Sequence, residues 1–412
     1  MANLPLKFDK QKMIRTLMLG WELPPVISGG LGVACDGILS GLQPIKSVST
    51  TFVMPKLSGA ERAHGALLLS AYPSSQKSPN ASSYAYNSDQ LANTLDYAHH
   101  VSRVVEGLQF DLIHAHDWLC VPAALEIRKR FNVPLIVHVH STEYDRSGPG
   151  AVESIIAIER AGFLKADLII AVSEVTASQI SKKYGIDHSK IQVVHNGIDQ
   201  ASISRSCSPI RSRKRLVSFV GRLTYQKGPH YFIKAAKTIL DRGFDVQFVM
   251  AGNGDMLNSC VSLVKALGME NYFSFPGFLN AEEVYKLLDN SQVFIMPSLF
   301  EPFGIVALEA MAAGVPTVIS NNSGISEVAK YCERINAWDS DAIAVAAIRL
   351  LSDSNYASSQ SALAKFDIQN MSWSSVGEKL HFVYKRALCT YVEERKLKDI
   401  GISLANTCTE LS

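Results

Sequence analysis

The sequence predicts an α/β protein built from two doubly wound domains, each a parallel sheet flanked by helices. Two observations carry this reading. Short, continuously apolar, β-branched runs recur along the chain: TLMLGW, STTFVM, FDLIHA, PLIVHVH, DLIIAV and IQVVHN, then RLVSFVG, VQFVMAG, YFSFPG, VFIMPS and PTVIS. Hydrophobicity that does not alternate marks strands covered on both faces. Amphipathic stretches such as HYFIKAAKTILDRG lie between these runs, and strand–helix–strand alternation makes neighbouring strands parallel.

Composition bounds the rest. At 412 residues, 47% hydrophobic and 19% charged, the chain is long and apolar enough for two or three packed domains, which excludes a disordered protein. A net charge of +2 argues against a nucleic-acid partner held by a broad basic face. No apolar run approaches the roughly 18 residues of a membrane span. The opening MANLPLKFDKQKMIRTLMLGW has too short an apolar stretch for a secretory signal, so the expected location is the cytoplasm. Seven cysteines, an odd number without a C-x-x-C pair, suggest neither a disulfide framework nor a zinc site.

The first domain is read as residues 1–204 and the second as 205–373. Between the two sets of strands the Ser- and Arg-rich DQASISRSCSPIRSRKR lacks periodicity, which suits a linker over Gln200–Arg215. Residues 374–400 form one long amphipathic helix after the strands have run out, and it must pack against something already built. The Ser-, Asn- and Tyr-rich stretch from Pro73 to Asp89 reads as a surface loop.

Ligands of open parallel sheets bind beyond the carboxyl ends of the strands, so the residues that follow each strand are the candidates. After the first strand, Gly29, Gly30 and Gly32 in ISGGLGVACDGI allow close backbone approach at a helix start. His114 with His116, and His138 with His140, form two i, i+2 pairs near strand ends. A metal would need both pairs to converge, with a neighbour such as Asp117 as a further ligand, and core or hydrogen-bonding histidine is preferred for His114 and His138. His140 differs because it opens the polar loop HSTEYDRSG.

In the second half, GRLTYQKG sets Arg222 and Lys227 on a short loop that ends at a helix, where two cations and a helix N-terminus can face one anion. The loops at Gly252–Asp255 and at Phe278 and Leu279 lie beyond two more strands. In SLFEPFGIVALEAMAAGVP, Pro302 suits the first helical positions, the helix is expected to begin near Phe303, and Gly314 and Pro316 stop it. Glu309, in the second turn, reaches back towards the helix start, and Glu301 precedes it. Two carboxylates would then frame one anion-seeking helix end, each suited to vicinal hydroxyls.

These residues carry a resemblance. E-P-F-G-I-V-A-L-E, G-R-L-x-x-x-K-G, H-N-G-I-D, H-A-H-D-W and the G-G-L-G loop, in that family's order over about Leu17 to Lys385, resemble the retaining GT-B glycosyltransferases of family 4, near the bacterial glycogen-synthase-like members. The resemblance implies a GT-B fold, two Rossmann-like domains facing each other across a cleft, with the terminal helix crossing back to the first. It implies transfer of a sugar, glucose in the first instance, from a UDP-, ADP- or GDP-sugar to a carbohydrate acceptor such as an α-glucan. A glycolipid or another glycan is the alternative acceptor, and a sugar-nucleotide epimerase the alternative enzyme. No cofactor, metal, nucleic acid or transmembrane segment is implied.

By the same resemblance Arg222 and Lys227 would hold the donor diphosphate, Glu309 the ribose, and Glu301 would lie against the transferred sugar. Gly30, Gly304 and Ile305 would complete the cradle, with Phe278 near the base and Asn196 at the junction of the domains. His140 would touch the sugar, and Asp117 and Tyr144 would face the acceptor side. Where related starch and glycogen synthases carry K-x-G-G, this chain has Ile27 and Ser28 ahead of its paired glycines, so ADP-glucose is not implied as donor.

Overall fold

A computed structural model describes residues 13–25, 29–57, 61–73, 88–200, 203 and 215–399. Most of the expected linker, the loop beyond Pro73, and Ile27 and Ser28 lie outside them.

Two sheets organise the chain. The first comprises β1 (Ile14–Leu19), β2 (Val48–Met54), β3 (Arg62–Ala63), β4 (Ala66–Ser70), β5 (Leu112–His116), β6 (Leu135–Val139), β7 (Leu168–Ala171) and β8 (Ile191–Val193), in the order β3-β4-β2-β1-β5-β6-β7-β8. The second comprises β9 (Arg215–Val220), β10 (Val246–Ala251), β11 (Phe273–Gly277), β12 (Val293–Met296), β13 (Thr317–Ser320) and β14 (Glu333–Ile335), in the order β11-β10-β9-β12-β13-β14. Every pairing is parallel except the β3–β4 hairpin. Strand order reverses between β1 and β5 in one sheet and between β9 and β12 in the other, and such switch points open a crevice at the strands' carboxyl ends.

Each sheet is covered on both faces, as uninterrupted apolar strands require. Leu17, Leu19, Ile113 and Val137 face one apolar cluster of the first sheet, while Met18, Leu112 and Ile136 face another. Val217, Phe219 and Phe248 do the same on one side of the second sheet, with Phe294, Met296 and Ile319 on the other. The eleven apolar runs all form strands; β3, β4 and β14 are additional. β3 and β14 span two and three residues and carry charge, so neither has a run long enough to register as periodicity.

The helix Trp373–Asp399 follows the second sheet yet packs on the first, where Trp373, Val376, Leu380, Val383, Tyr384 and Ala387 join the cluster around Met18 and Ile136. Its partner is the helix Gly30–Leu42. The two backbones touch: a methyl added at Gly377 would lie 2.0 Å from the Gly41 carbonyl oxygen, and one at Gly37 2.0 Å from the Trp373 ring. Glycine is required at this crossing because any side chain would force the helices apart.

Candidate active site

Three helices start at the switch points with an unusual feature in common. Gly30–Leu42, Pro229–Asp241 and Ile305–Ala312 have N-caps Gly29, Gly228 and Gly304, none with a side-chain cap bond, and none has an acidic residue in its first turn. Elsewhere Thr142, Ser173, Asn280, Asp339 and Asp353 cap their helices with side-chain oxygens. A glycine cap leaves N–H groups and the positive end of the helix dipole open to an external anion. On the first helix one of these donors is taken internally, since the Gly32 N–H donates to Glu22 Oε1 at 3.0 Å. Glu22 is fully buried, and no motif singled it out.

The third helix begins at Ile305, two residues later than expected, and Pro302 lies outside it. Gly304 explains the delay. Its φ of 108° is not helical, and a methyl there would sit 2.9 Å from Met296 Cε, so the chain turns into the helix only after this residue. Gly314, at φ 80°, ends the helix as expected.

The charged candidates gather around this helix start. Lys227, on the one-turn helix Tyr225–Lys227 after β9, places Nζ 2.6 Å from Glu301 Oε2, and Ser298 Oγ donates to the same oxygen at 2.9 Å. Arg222, just after β9, reaches the first domain's glycine loop: a methyl on Gly29 would be 4.0 Å from Arg222 Nε. Glu309 is buried, which raises its carboxyl to about 7 against the opposing hydrogen bond from Tyr285 Oη at 3.4 Å. Ile305 packs against apolar clusters of both sheets. Phe278 is half exposed after β11, and Asn196 is buried two residues beyond Val194. Its neighbour Gly197 lies against Ser372 at the entry to the terminal helix.

His140 follows β6, and its backbone N–H donates to Asp117 Oδ1 at 2.7 Å, with Ser141 N–H on the same oxygen at 3.3 Å. Asp117 is itself buried and takes φ 55°, rare for a residue with a side chain, at the start of the helix Asp117–Phe131. Its carboxylate is therefore engaged in bracing the His140 loop. Tyr144 packs edge-on to Tyr184, with ring centroids 5.4 Å apart, against the first domain's core. Beneath the loop a buried network missed by the motifs holds it in shape: Arg146 bridges Glu143 at 3.3 Å and Glu159 at 2.6 Å, and Glu159 accepts the Glu143 N–H and the Tyr184 hydroxyl. Glu143 and Arg146 were legible as an i, i+3 pair, whereas Glu159 comes from the next helix, Glu153–Lys165, with no local signal.

The domains also meet away from the helix starts. Glu327 of the second domain accepts the N–H groups of Glu174 and Val175, at 3.0 and 2.9 Å, at the start of the first domain's helix Glu174–Tyr184. His195 Nε2 lies 2.9 Å from the same carboxylate. A methyl on Gly148 would lie 3.9 Å from the half-exposed Phe300 ring.

Comparison with known proteins decides the family. Residues 50–202 match the model described as Glycosyltransferase Family 4, and residues 202–365 match Glycosyl transferases group 1. An uncharacterized glycosyltransferase of Methanocaldococcus jannaschii is 30% identical over 400 residues, covering 91% of this chain and 99% of its own. The chain belongs to glycosyltransferase family 4. The glycogen synthase of Mycobacterium tuberculosis is 29% identical to this family 4 glycosyltransferase over 337 residues, 76% of this chain and 80% of its own. Anabaena HepE, solved in complex with UDP-glucose, superposes with a TM-score of 0.72 at 19% identity, over 90% of this chain and 100% of its own. The fold of the family 4 chain is therefore GT-B, with two parallel-sheet domains, and its relatives include glycogen-synthase-like members. Among the described residues no helix is long and apolar enough to cross a membrane.

Proposed function

We propose that this nucleotide-sugar glycosyltransferase moves a hexose, glucose in the first instance, to a carbohydrate hydroxyl, with an α-glucan as the preferred acceptor, retention at the anomeric carbon and no metal. One observation carries the reading: three helix starts without side-chain caps lie at the sheets' switch points, with Arg222 beside Gly29 at the first and Lys227 beside Glu301 at the third, a set of donors suited to a diphosphate leaving group. Buried Glu309 offers an acceptor for ribose hydroxyls, and His140, at the carboxyl end of β6 on the facing domain, would border the sugar. The names of the related glycogen synthase and of the HepE complex with UDP-glucose support a glucosyl nucleotide.

In this mechanism Arg222, Lys227 and the Ile305 helix start draw negative charge onto the β-phosphate as the glycosidic bond stretches, and the departing phosphate oxygen takes the proton of the incoming hydroxyl. These groups perform the electrostatic work that a divalent ion performs in other transferases. The test is thermal unfolding with UDP-, ADP- and GDP-glucose, then turnover of the stabilising donor with soluble glycogen. A ligand at a hundred times its Kd adds about 2.7 kcal/mol. Absence of any stabilisation, or activity that vanishes with chelator and returns with a divalent ion, would refute the reading.

A further inference from the structure

Two aromatic rings stay in water where the residues around them are packed. In the loop after β9, Leu223 and Gln226 are buried while Tyr225 is 55% exposed; before the Ile305 helix, Leu299 and Phe303 are buried while Phe300 is 37% exposed. Single exposed apolar residues are ordinary, but these two are not scattered. Tyr225 stands two residues before Lys227 and Phe300 one residue before Glu301, and Lys227 Nζ lies 2.6 Å from Glu301 Oε2.

Both rings also lie where the domains meet. The one-turn helix Tyr225–Lys227 packs against the first domain's helix Glu143–Ser147. A methyl on Gly148, just beyond that helix, would be 3.9 Å from Phe300 Cε2. The facing wall is therefore the loop that His140 opens. The histidines beneath it are closed to a ligand: His114, His116 and His138 are fully buried, with His114 Nδ1 2.8 Å from the Tyr384 hydroxyl and Nε2 3.2 Å from His138 Nδ1.

This wall is electrically neutral. Arg146 is held by buried Glu143 and Glu159, and Ser147 to Val152 include no charged residue. Across from it, Lys227 is paired with Glu301. A phosphorylated acceptor or an anionic lipid calls for cations not already paired with carboxylates. The mouth offers instead two rings, a Gly–Pro–Gly turn and the hydroxyls of Tyr225 and Ser147. A pyranose has the matching make-up, since its C–H face is desolvated by a flat ring while its peripheral hydroxyls bond to polar neighbours.

We propose that Tyr225 and Phe300 form an aromatic platform at the mouth of the crevice that binds a neutral glucan chain, holding glucosyl units beyond the one that receives the transferred sugar. Its place in turnover rests on the transferase reading above; binding of the glucan does not.

Native gel electrophoresis of the ligand-free protein through increasing soluble glycogen reads binding without turnover. Wild-type protein is expected to be retarded. Tyr225→Ala and Phe300→Ala should each weaken retardation about 3- to 10-fold, and Tyr225→Phe, which keeps the ring, less than about twofold. Thermal stabilisation by UDP reports that each variant is folded, and Tyr225, on the surface, keeps the test open if Phe300→Ala is not. With UDP-glucose and maltoheptaose the loss should fall on KM for the glucan rather than on kcat. Wild-type protein that glycogen does not retard, or alanine variants retarded as strongly as the wild type, would overturn the platform. Capture by vesicles carrying a glucosylated lipid, without retardation by glycogen, would overturn it too. If retardation depends on the rings and no nucleotide sugar is turned over, the transferase reading fails and the platform holds; unimpaired glucosylation of maltoheptaose by both variants would remove the platform and leave that reading intact.

Discussion

Lys227 Nζ and Glu301 Oε2 lie 2.6 Å apart, joining the loop after β9 to the segment just before the Ile305 helix. Both side chains are largely buried, so Glu301 fixes the ammonium at the helix start before any ligand arrives. Charge-assisted hydrogen bonds are worth about 1.5–3 kcal/mol each, or roughly 10- to 150-fold in rate. Lys227→Ala and Arg222→Ala are each expected to lower kcat/KM within that range. Losses below about threefold for both, measured with the stabilising donor, would remove them from the phosphate site.

In the proposed ribose site Glu309 would tie nucleotide binding to pH. Burial raises its carboxyl from the ordinary 4.5 to about 7, with the Tyr285 hydrogen bond opposing. A raised carboxyl favours the folded state at low pH; this contribution is full below about 4.5 and is lost as pH rises through about 7. Ligand-free protein should therefore lose up to about 3 kcal/mol across that window, a slope that Glu309→Gln should lack. Ribose hydroxyls are donors and prefer the carboxylate, so UDP should raise Tm more at pH 8 than at pH 6 in the wild type. Equal shifts at both pH values would remove Glu309 from the ribose site.

The fold was legible because parallel strands buried on both faces need uninterrupted apolar runs, and eleven of these are present. Of the candidate site, the placement of Gly29, Arg222, Lys227 and Glu301 on loops after strands was legible. Contacts between distant segments were not. Glu22 beneath Gly32, Glu159 beneath Arg146, Glu327 capping the helix at Glu174, and Tyr384 on His114 leave no periodicity or spacing behind, since each joins segments that only the folded chain brings together. The Ile305 helix starts later than Pro302 suggests because Gly304 takes a φ of 108°, which no local helix signal announces.

Glu327 is expected to govern closure of the two domains. Its carboxylate satisfies two N–H groups of the first domain's helix and pairs with His195, all across the junction. Burial pushes this carboxyl up, but the bonds from His195 and the two backbone N–H groups outweigh that and hold it below the ordinary value, so the carboxylate is ionised at neutral pH. Glu327→Ala removes the cap, a loss of about 0.5–2 kcal/mol, and should populate an open form. Small-angle scattering is expected to give a larger radius of gyration for ligand-free Glu327→Ala than for the wild type, with UDP-glucose restoring the smaller value. A radius identical in both proteins would show that the junction is held elsewhere.

The stereochemical outcome follows from where Glu301 is held. A double-displacement enzyme places a free carboxylate on the face of the sugar opposite the leaving group. Glu301 is not free: both Lys227 Nζ and Ser298 Oγ donate to its Oε2, and it precedes the same helix start that is proposed to hold the diphosphate. Using it as a nucleophile would strip a buried carboxylate of two donors and direct it from the leaving-group side. Front-face departure needs neither change. In the proposed reaction the glycosidic bond would stretch towards an oxocarbenium-like state, the cations and helix end would stabilise the phosphate, and the acceptor hydroxyl would enter on the face the phosphate is leaving, passing its proton to a phosphate oxygen. An α-linked donor is thus expected to give an α-linked product, read by NMR of the first-formed material before any anomeric exchange. Intact-protein mass spectrometry with a slow fluorinated donor is expected to show unmodified protein. A β-linked product would overturn the front-face mechanism, and an adduct on Glu301 would show that Lys227 and Ser298 release it during turnover.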